Sequence, residues 1–125
     1  ALTATLLGYL WHPMTPVVGA SGSLFGLIGF AVAYYHRLGQ PGRYIRDFMF
    51  RWAVYAFVFG LLVGADNAGH LGGALGGAAL GLVMPLRYLP NSAAAKFFNL
   101  LALACLGAIG YSLLMLALSI AGAAN

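Results

Sequence analysis

At 125 residues, the chain is 62% hydrophobic and only 6% charged, a balance that excludes an ordinary soluble domain. Its net charge of +4 comes from six basic residues in short segments, which form no continuous patch for nucleic acid phosphates. The single cysteine, Cys105, excludes an internal disulfide and a cysteine-ligated metal site. We therefore interpret the chain as an all-α, multi-pass membrane protein embedded in a lipid bilayer, with no nucleic acid partner, metal or cofactor.

The first predicted element is the apolar segment 1–10, which is too short to cross a bilayer and indicates the end of an earlier membrane helix. Because the chain starts without an initiator Met or a charged leader, we expect further sequence upstream. The two prolines in residues 11–16 predict an irregular connection at the membrane surface. His12 in this connection and His36 after the next helix are interpreted as interfacial residues without a role.

Four longer apolar runs predict membrane-spanning helices, over residues 19–35, 48–65, 68–86 and 97–121. They are separated by a polar turn at 38–47, a very short hairpin at Asp66 and Asn67, and a loop around residues 87–96. The predicted architecture is therefore a helical bundle of about four transmembrane helices with an N-terminal partial helix. We divide it into residues 1–86 and residues 87–125.

The basic residues predict the orientation of this bundle. All six fall in the two loops that an alternating topology places on one side: Arg37, Arg43, Arg46, Arg51, Arg87 and Lys96. The positive-inside rule makes the loops 37–51 and 87–96 cytoplasmic, so the first and third spans both run from outside to inside. Ser21 lies 16 residues before Arg37 and His70 lies 17 residues before Arg87. Each is about 25 Å from the cytoplasmic end of its helix, in the outer half of the membrane.

Glycine-rich motifs surround both of these side chains. Residues 19–22 read Gly-Ala-Ser-Gly, and residues 69–73 read Gly-His-Leu-Gly-Gly. The third span repeats glycine every four residues, at Gly69, Gly73, Gly77 and Gly81, and has Gly72 and Gly76 on an adjacent row. The first span carries Gly22, Gly26 and Gly29. Such stripes allow two helix backbones to approach closely within lipid. The pattern favours contact between the first and third spans.

Ser21 and His70 are the candidate chemical groups. An imidazole within hydrogen-bond reach of a serine can take its proton and later return it to a leaving amine. The N–H groups of a helix N-terminus at Ser21 could stabilise an oxyanion. We do not assign Asp66 as the acidic member of a catalytic triad with Ser21 and His70. The alternatives are a packing role for Ser21 and axial ligation of haem or chlorophyll by His70. Phe25, one turn after Ser21, is expected in the core or against the imidazole.

Together, the two motifs in this order resemble the rhomboid intramembrane serine proteases. The resemblance covers residues 1–86 as a partial rhomboid-like core, from the end of the family's third helix through its sixth. The last span, within residues 87–125, is similar to an additional helix of some members. The resemblance implies that Ser21 is the nucleophile, that His70 is the general base and that Phe25 stacks on the imidazole. It assigns supporting positions to Gly19, Gly22, Gly73 and Gly77.

The resemblance further implies a serine endopeptidase that cleaves transmembrane segments of other membrane proteins through an acyl-enzyme. In the family, a histidine and an asparagine on the second helix complete the oxyanion hole, and no segment of this chain corresponds to that helix. We expect upstream sequence to supply it, and we expect a bacterial inner membrane as the location. The alternative is a noncatalytic rhomboid-like protein that binds clients or serves as a structural subunit, together with other membrane subunits.

Overall fold

The computed structural model describes residues 2–11, 20–87 and 92–123, and every regular element in these ranges is helical. The elements are α1 (Leu2–Trp11), α2 (Ser21–Arg37), a 3-10 turn (Gln40–Gly42), α3 (Arg43–Val63), α4 (Asn67–Val83) and α5 (Ala93–Ala123). They form two units, residues 1–86 with α1 to α4 and residues 87–125 with α5. His12, most of the predicted connection at 11–16, and Gly19 lie outside the described residues.

The helix α4 lies at the centre of the first unit and makes its most extensive contact with α2. A methyl group added at Gly73 would collide with the carbonyl oxygen of Gly22, and one added at Gly77 would collide with that of Gly26. The contacts advance in the same direction along both helices, so α2 and α4 run parallel. This is the relative direction that the alternating topology predicted.

A second glycine row of α4 faces α1. A methyl group at Gly72 would lie 2.8 Å from Cβ of Leu7, and one at Gly76 would meet the side chain of Thr3. At the other end of α1, a methyl group at Gly8 would lie 2.8 Å from Oδ2 of Asp66. The glycines of α4 therefore permit close backbone approach on two sides, since one glycine row contacts α1 and the other contacts α2.

The C-terminal end of α4 is held by an arginine from α2. Nη1 of Arg37 donates hydrogen bonds to the carbonyl oxygens of Gly81 and Met84, at 2.9 and 2.6 Å. The helix ends at Val83 and not at residue 86 as predicted, because Pro85 disfavours helical backbone at the residue before it. Met84 is accordingly extended, with φ −63° and ψ 132°. Arg37 satisfies carbonyls that the end of the helix leaves without intrahelical partners.

The start of α3 differs from the sequence prediction, which placed residues 38–47 in a turn. Gly39, with φ 69°, and the 3-10 turn that follows it contain the irregular backbone, so the helix begins at Arg43. Its first turns are polar, and Asp47 contacts Arg43 one turn earlier at 3.7 Å. A hydrogen bond from Arg46, helped by the charges of Arg46, Arg43 and Arg51, lowers the pKa of the Asp47 carboxyl. Asp47 therefore stays ionised at neutral pH, although its exposure makes these pairs weak.

The hairpin between α3 and α4 comprises residues 64–66 and not residues 66–67 as predicted, since α3 ends at Val63 and Asn67 already belongs to α4. Gly64 ends α3 in the left-handed conformation, with φ 70°, and the N–H of Ala65 donates to the carbonyl of Gly60 at 2.8 Å. Asp66 is the N-cap of α4, because its side chain accepts a hydrogen bond from the N–H of Gly69 at 2.9 Å. The hairpin thus fixes the first turn of α4.

The second unit contains α5, which begins four residues before the predicted start at residue 97. Ser92 explains this difference, because its hydroxyl accepts a hydrogen bond from the N–H of Ala95 at 3.1 Å and so caps the helix. Within α5, the segment Ala93–Gly122 is long and apolar enough to cross a membrane. Its most apolar 18-residue window has a mean hydropathy of 2.2, and none of that window is buried in the chain. By length and composition, α5 is the one helix among the described residues that meets this criterion. The other three predicted spans overlap α2, α3 and α4 in sequence and stay predictions.

Candidate active site

His70 lies in the first turns of α4 and is buried, with 6% of its surface exposed. Its imidazole is stacked on the ring of Phe25 from α2, with ring centroids 4.3 Å apart and planes inclined by 13°. Phe25 is itself 5% exposed. The two glycine rows bring the backbones close enough for this stack, so the ring plane of His70 is determined by the packing of α4 on α2.

The second ring contact of His70 comes from its own helix. Nδ1 of His70 lies 2.9 Å from Oδ1 of Asn67, three residues earlier and therefore on the same face of α4. An amide oxygen accepts hydrogen bonds and cannot donate them, so this contact is a hydrogen bond in the tautomer of His70 that carries its proton on Nδ1. Nε2 of the neutral imidazole is then left with its lone pair, which is the form that a general base requires.

Ser21 is the first residue of α2 and is exposed. The residues next to the two candidates are in contact, because a methyl group at Gly22 would lie 3.4 Å from the carbonyl oxygen of Gly69 and 2.6 Å from Cβ of Ala4. Ser21 precedes Gly22 and His70 follows Gly69, so the candidate nucleophile and base lie at the same level of the α2–α4 contact. Within the described part of the chain, no hydrogen bond joins Ser21 to His70.

The two acidic side chains of the first unit contact groups other than His70. Asp66 caps α4 through Gly69, and Asp47 pairs with arginines at the start of α3. Neither carboxylate is a hydrogen-bond partner of His70. Among the described residues, no three His, Cys, Asp or Glu side chains cluster in a way that could hold a metal ion.

A cavity of about 410 Å³ lies beside this site, between α1, α3 and the start of α4. Its walls are mostly apolar, and Asn67 is the polar side chain among the residues that line it: Leu7, Trp11, Phe57, Gly60, Leu61, Gly64, Ala65, Asn67, Ala68 and Leu71. Ser21 and His70 are not part of this lining, so Asn67 stands between the cavity and the imidazole.

Asn67 is the residue of this site that sequence reasoning missed, because it was interpreted only as part of a hairpin. The available signal was its spacing, since an asparagine three residues before a histidine shares a helical face with it. That signal requires Asn67 to be inside the helix, and the sequence placed the helix start one residue later.

Comparison with known proteins bears on this geometry. The family profile described as Rhomboid domain matches residues 1–87, which include both Ser21 and His70. The chain belongs to the rhomboid family. The helix α5 follows the matched residues, and its long apolar segment is consistent with a membrane protein.

One curated relative is Rhomboid-like protease 5 of Toxoplasma gondii, which is 33% identical to this chain over 87 residues. The match covers 64% of this chain but only 10% of that relative's length. No solved structure matches the chain significantly. The expected bacterial inner membrane gains no support, because this relative comes from a eukaryotic parasite; the general assignment to a membrane is the supported one.

Proposed function

We propose that this rhomboid domain carries the catalytic dyad of an intramembrane serine protease that cleaves transmembrane segments of other membrane proteins. Ser21 is the nucleophile and His70 is the general base. One observation carries the proposal: the buried His70 imidazole is stacked on Phe25 of α2 and contacts Asn67 through Nδ1, which leaves Nε2 without a protein partner among the described residues. The rhomboid family match over both residues supports the same assignment.

In the proposed reaction, Oγ of Ser21 attacks the carbonyl carbon of a substrate peptide bond while Nε2 of His70 takes its proton. The resulting imidazolium returns that proton to the leaving amine as the peptide C–N bond breaks, which leaves an acyl-enzyme on Ser21. A water molecule then attacks the ester, giving one proton to His70, and Ser21 recovers its proton as the carboxyl product leaves. Substrate helices must unwind locally, because an intact helix shields its peptide bonds.

Stabilisation of the developing oxyanion is proposed to begin at the N-terminus of α2. The first N–H groups of a helix have no intrahelical acceptors, and the helix dipole favours negative charge there. Ser21 is the first residue of α2, so its own N–H and that of Gly22 lie next to the reacting oxygen.

The membrane arrangement that accompanies this function has α2, α3, α4 and α5 as spans. The segments 37–51 and 87–96 then lie in the cytoplasm, as the positive-inside rule predicts. In this arrangement the Ser21 end of α2 and the His70 end of α4 share the outer half of the bilayer. Substrates would be transmembrane segments, and water would enter from the outer side.

A fluorophosphonate probe tests the dyad directly, because it phosphonylates a serine only when the hydroxyl is activated. We expect the purified protein to be labelled, and labelling to fall to background in Ser21→Ala and His70→Ala. Two matched controls exist: Ser23→Ala removes an exposed hydroxyl two residues from Ser21, and His36→Ala removes an imidazole at the opposite end of α2. Labelling that persists in Ser21→Ala would contradict the assignment of the nucleophile.

A noncatalytic rhomboid-like protein that binds membrane clients is the second candidate. The lack of a hydrogen bond between Ser21 and His70 in the described structure favours it. This noncatalytic function predicts that the folded wild-type protein is not labelled by the fluorophosphonate probe but still co-purifies with membrane proteins through α2 and α4. The same labelling experiment therefore separates the two functions.

A further inference from the structure

Among the described residues, Asn67 is the only one whose side chain contacts a ring nitrogen of His70. It is not the N-cap of α4. Asp66 is the N-cap of α4 and bonds to the N–H of Gly69. The Asn67 amide is therefore free to bond to Nδ1 of His70, at 2.9 Å. Asp66 thus caps the helix and Asn67 contacts the imidazole, so the amide is not needed to start α4.

The helix α3 determines where that amide lies. A methyl group added at Gly60 would lie 2.6 Å from Oδ1 of Asn67, so the bare Cα of Gly60 makes room for the amide oxygen. The N–H of Asn67 also donates to the carbonyl of Ala65 at 2.8 Å, which fixes its backbone in the hairpin. The amide is thus seated by α3 and the hairpin on one side, and by the imidazole on the other.

We infer that Asn67 is a positioning residue: its amide oxygen holds the proton of His70 on Nδ1 and orients the ring so that Nε2 faces the start of α2. The catalytic consequence rests on the proposed function. During proton transfer from Ser21 the imidazole becomes positively charged, and the dipole of the Asn67 carbonyl stabilises that charge through the Nδ1–H bond. Without this acceptor, the proton can move to Nε2, and that nitrogen can then no longer accept the proton of Ser21.

The primary test measures the tautomer of His70 by ¹⁵N NMR of histidine-labelled protein in detergent micelles. Substitution of His12 and His36 by glutamine leaves His70 as the remaining labelled histidine. We expect the wild-type ring to carry its proton on Nδ1. Asn67→Leu, which keeps the approximate side-chain volume but removes the acceptor, should shift the population towards the form protonated on Nε2. Asn67→Asp, which keeps an oxygen acceptor, should restore protonation at Nδ1.

A parallel measurement follows the rate of fluorophosphonate labelling in the same variants. Asn67→Leu should label about tenfold more slowly, which is the effect of one lost hydrogen bond, and Asn67→Asp should recover the rate. Asn99→Leu is the matched control, since Asn99 is an exposed asparagine of α5. The rescue by aspartate separates positioning of the base from general destabilisation, because a purely structural loss would not return with the acceptor.

Gly60→Ala keeps the inference testable if Asn67→Leu fails to fold. The added methyl group displaces the amide oxygen, so the tautomer should shift as in Asn67→Leu, whereas Gly107→Ala adds a methyl group in open space and should have no effect. A wild-type ring protonated on Nε2, or a tautomer unchanged in both Asn67→Leu and Gly60→Ala, would overturn the inference. If the tautomer responds as expected but the wild-type protein takes up no probe, the proposed function fails while the positioning of His70 stands.

Discussion

At the scale of single residues, the environment of His70 explains how an ionisable ring can be held inside an apolar bundle. A buried polar group is costly when its donors and acceptors lack partners. His70 satisfies Nδ1 through Asn67 and covers one ring face with Phe25, so two helices hold the ring. The remaining nitrogen is the one that the proposed reaction uses. The contacts that hold the ring are therefore the ones that leave Nε2 for the proposed reaction.

The stack on Phe25 leads to a prediction at this scale. Phe25→Leu should slow fluorophosphonate labelling of Ser21 about two- to tenfold, because an aromatic pair contributes about 0.5–1.5 kcal/mol to the orientation of its partner. Phe25→Tyr keeps the ring and should label almost as fast as the wild type. The matched control is Phe30→Leu, which removes a ring that stacks on Tyr34 in the same helix. Equal losses in Phe25→Leu and Phe30→Leu would show that the stack on His70 has no specific role.

At the scale of helices, the two glycine rows of α4 set the distances to α1 and α2. In lipid there is no hydrophobic drive to bring helices together, so their association depends on close backbone contact and on polar bonds. Gly73 and Gly77 provide the contact with α2, and Arg37 provides polar bonds at the other end of the same pair. The relative positions of Ser21 and His70 along the two helices therefore depend on residues along the whole helix pair.

Gly73→Ala should separate α2 from α4, because the new methyl group would collide with the carbonyl oxygen of Gly22, which is rigid backbone. We expect a loss of about 1–3 kcal/mol in the free energy of unfolding, measured by titration with sodium dodecyl sulfate in mixed micelles. The rate of fluorophosphonate labelling should also fall, and by more than the increase in unfolded protein accounts for. Gly107→Ala in α5 is the control, since no atom lies within 4 Å of its added methyl group. Equal stability of the two variants would argue against close packing at Gly73.

At the scale of the whole molecule, the arginines of the first unit lie at one end of its helices. Arg37 ends α2, and the polar start of α3 follows within a few residues, whereas the hairpin at Asp66 lies at the opposite end of α3. This distribution is the basis of the proposed orientation, with the arginine-rich turn in the cytoplasm. It also separates the ion pairs from the candidate active site by the length of α2.

Cysteine labelling tests this orientation. In a Cys105→Ala background, Gln40→Cys and Ala65→Cys introduce exposed thiols at the two ends of α3. A membrane-impermeant maleimide applied to sealed right-side-out vesicles should label Ala65→Cys at once and Gln40→Cys only after detergent is added. The background protein with Cys105→Ala should remain unlabelled throughout. The reverse pattern would invert the proposed topology, and labelling of both thiols before detergent would exclude α3 as a span.

The sequence by itself was sufficient for the helical membrane class, the approximate positions of four long helices and the rhomboid family. The first two properties follow from composition and hydrophobic run length, which are local along the chain. The family came from the resemblance of the two glycine-rich motifs around Ser21 and His70, and the family match over residues 1–87 confirms it. Helix ends were less predictable. Arg43 and Asn67 begin their helices earlier than expected, because the 3-10 turn ends the irregular backbone before Arg43 and the side chain of Asp66 caps α4. The roles of Ser21 and His70 remain predictions until the labelling experiments are done.

Only the tertiary structure decided which side chains surround the candidate base. The stack of Phe25 on His70 requires the register of α2 against α4, which the glycine rows determine at the level of backbone contacts. The bond from His70 to Asn67 requires the hairpin to start α4 one residue early and requires Gly60 to leave room for the amide. Spacing within α4 places Asn67 and His70 on one helical face, but only the packing of α2 and α3 against α4 decides that Phe25 stacks on the ring and that the amide reaches Nδ1.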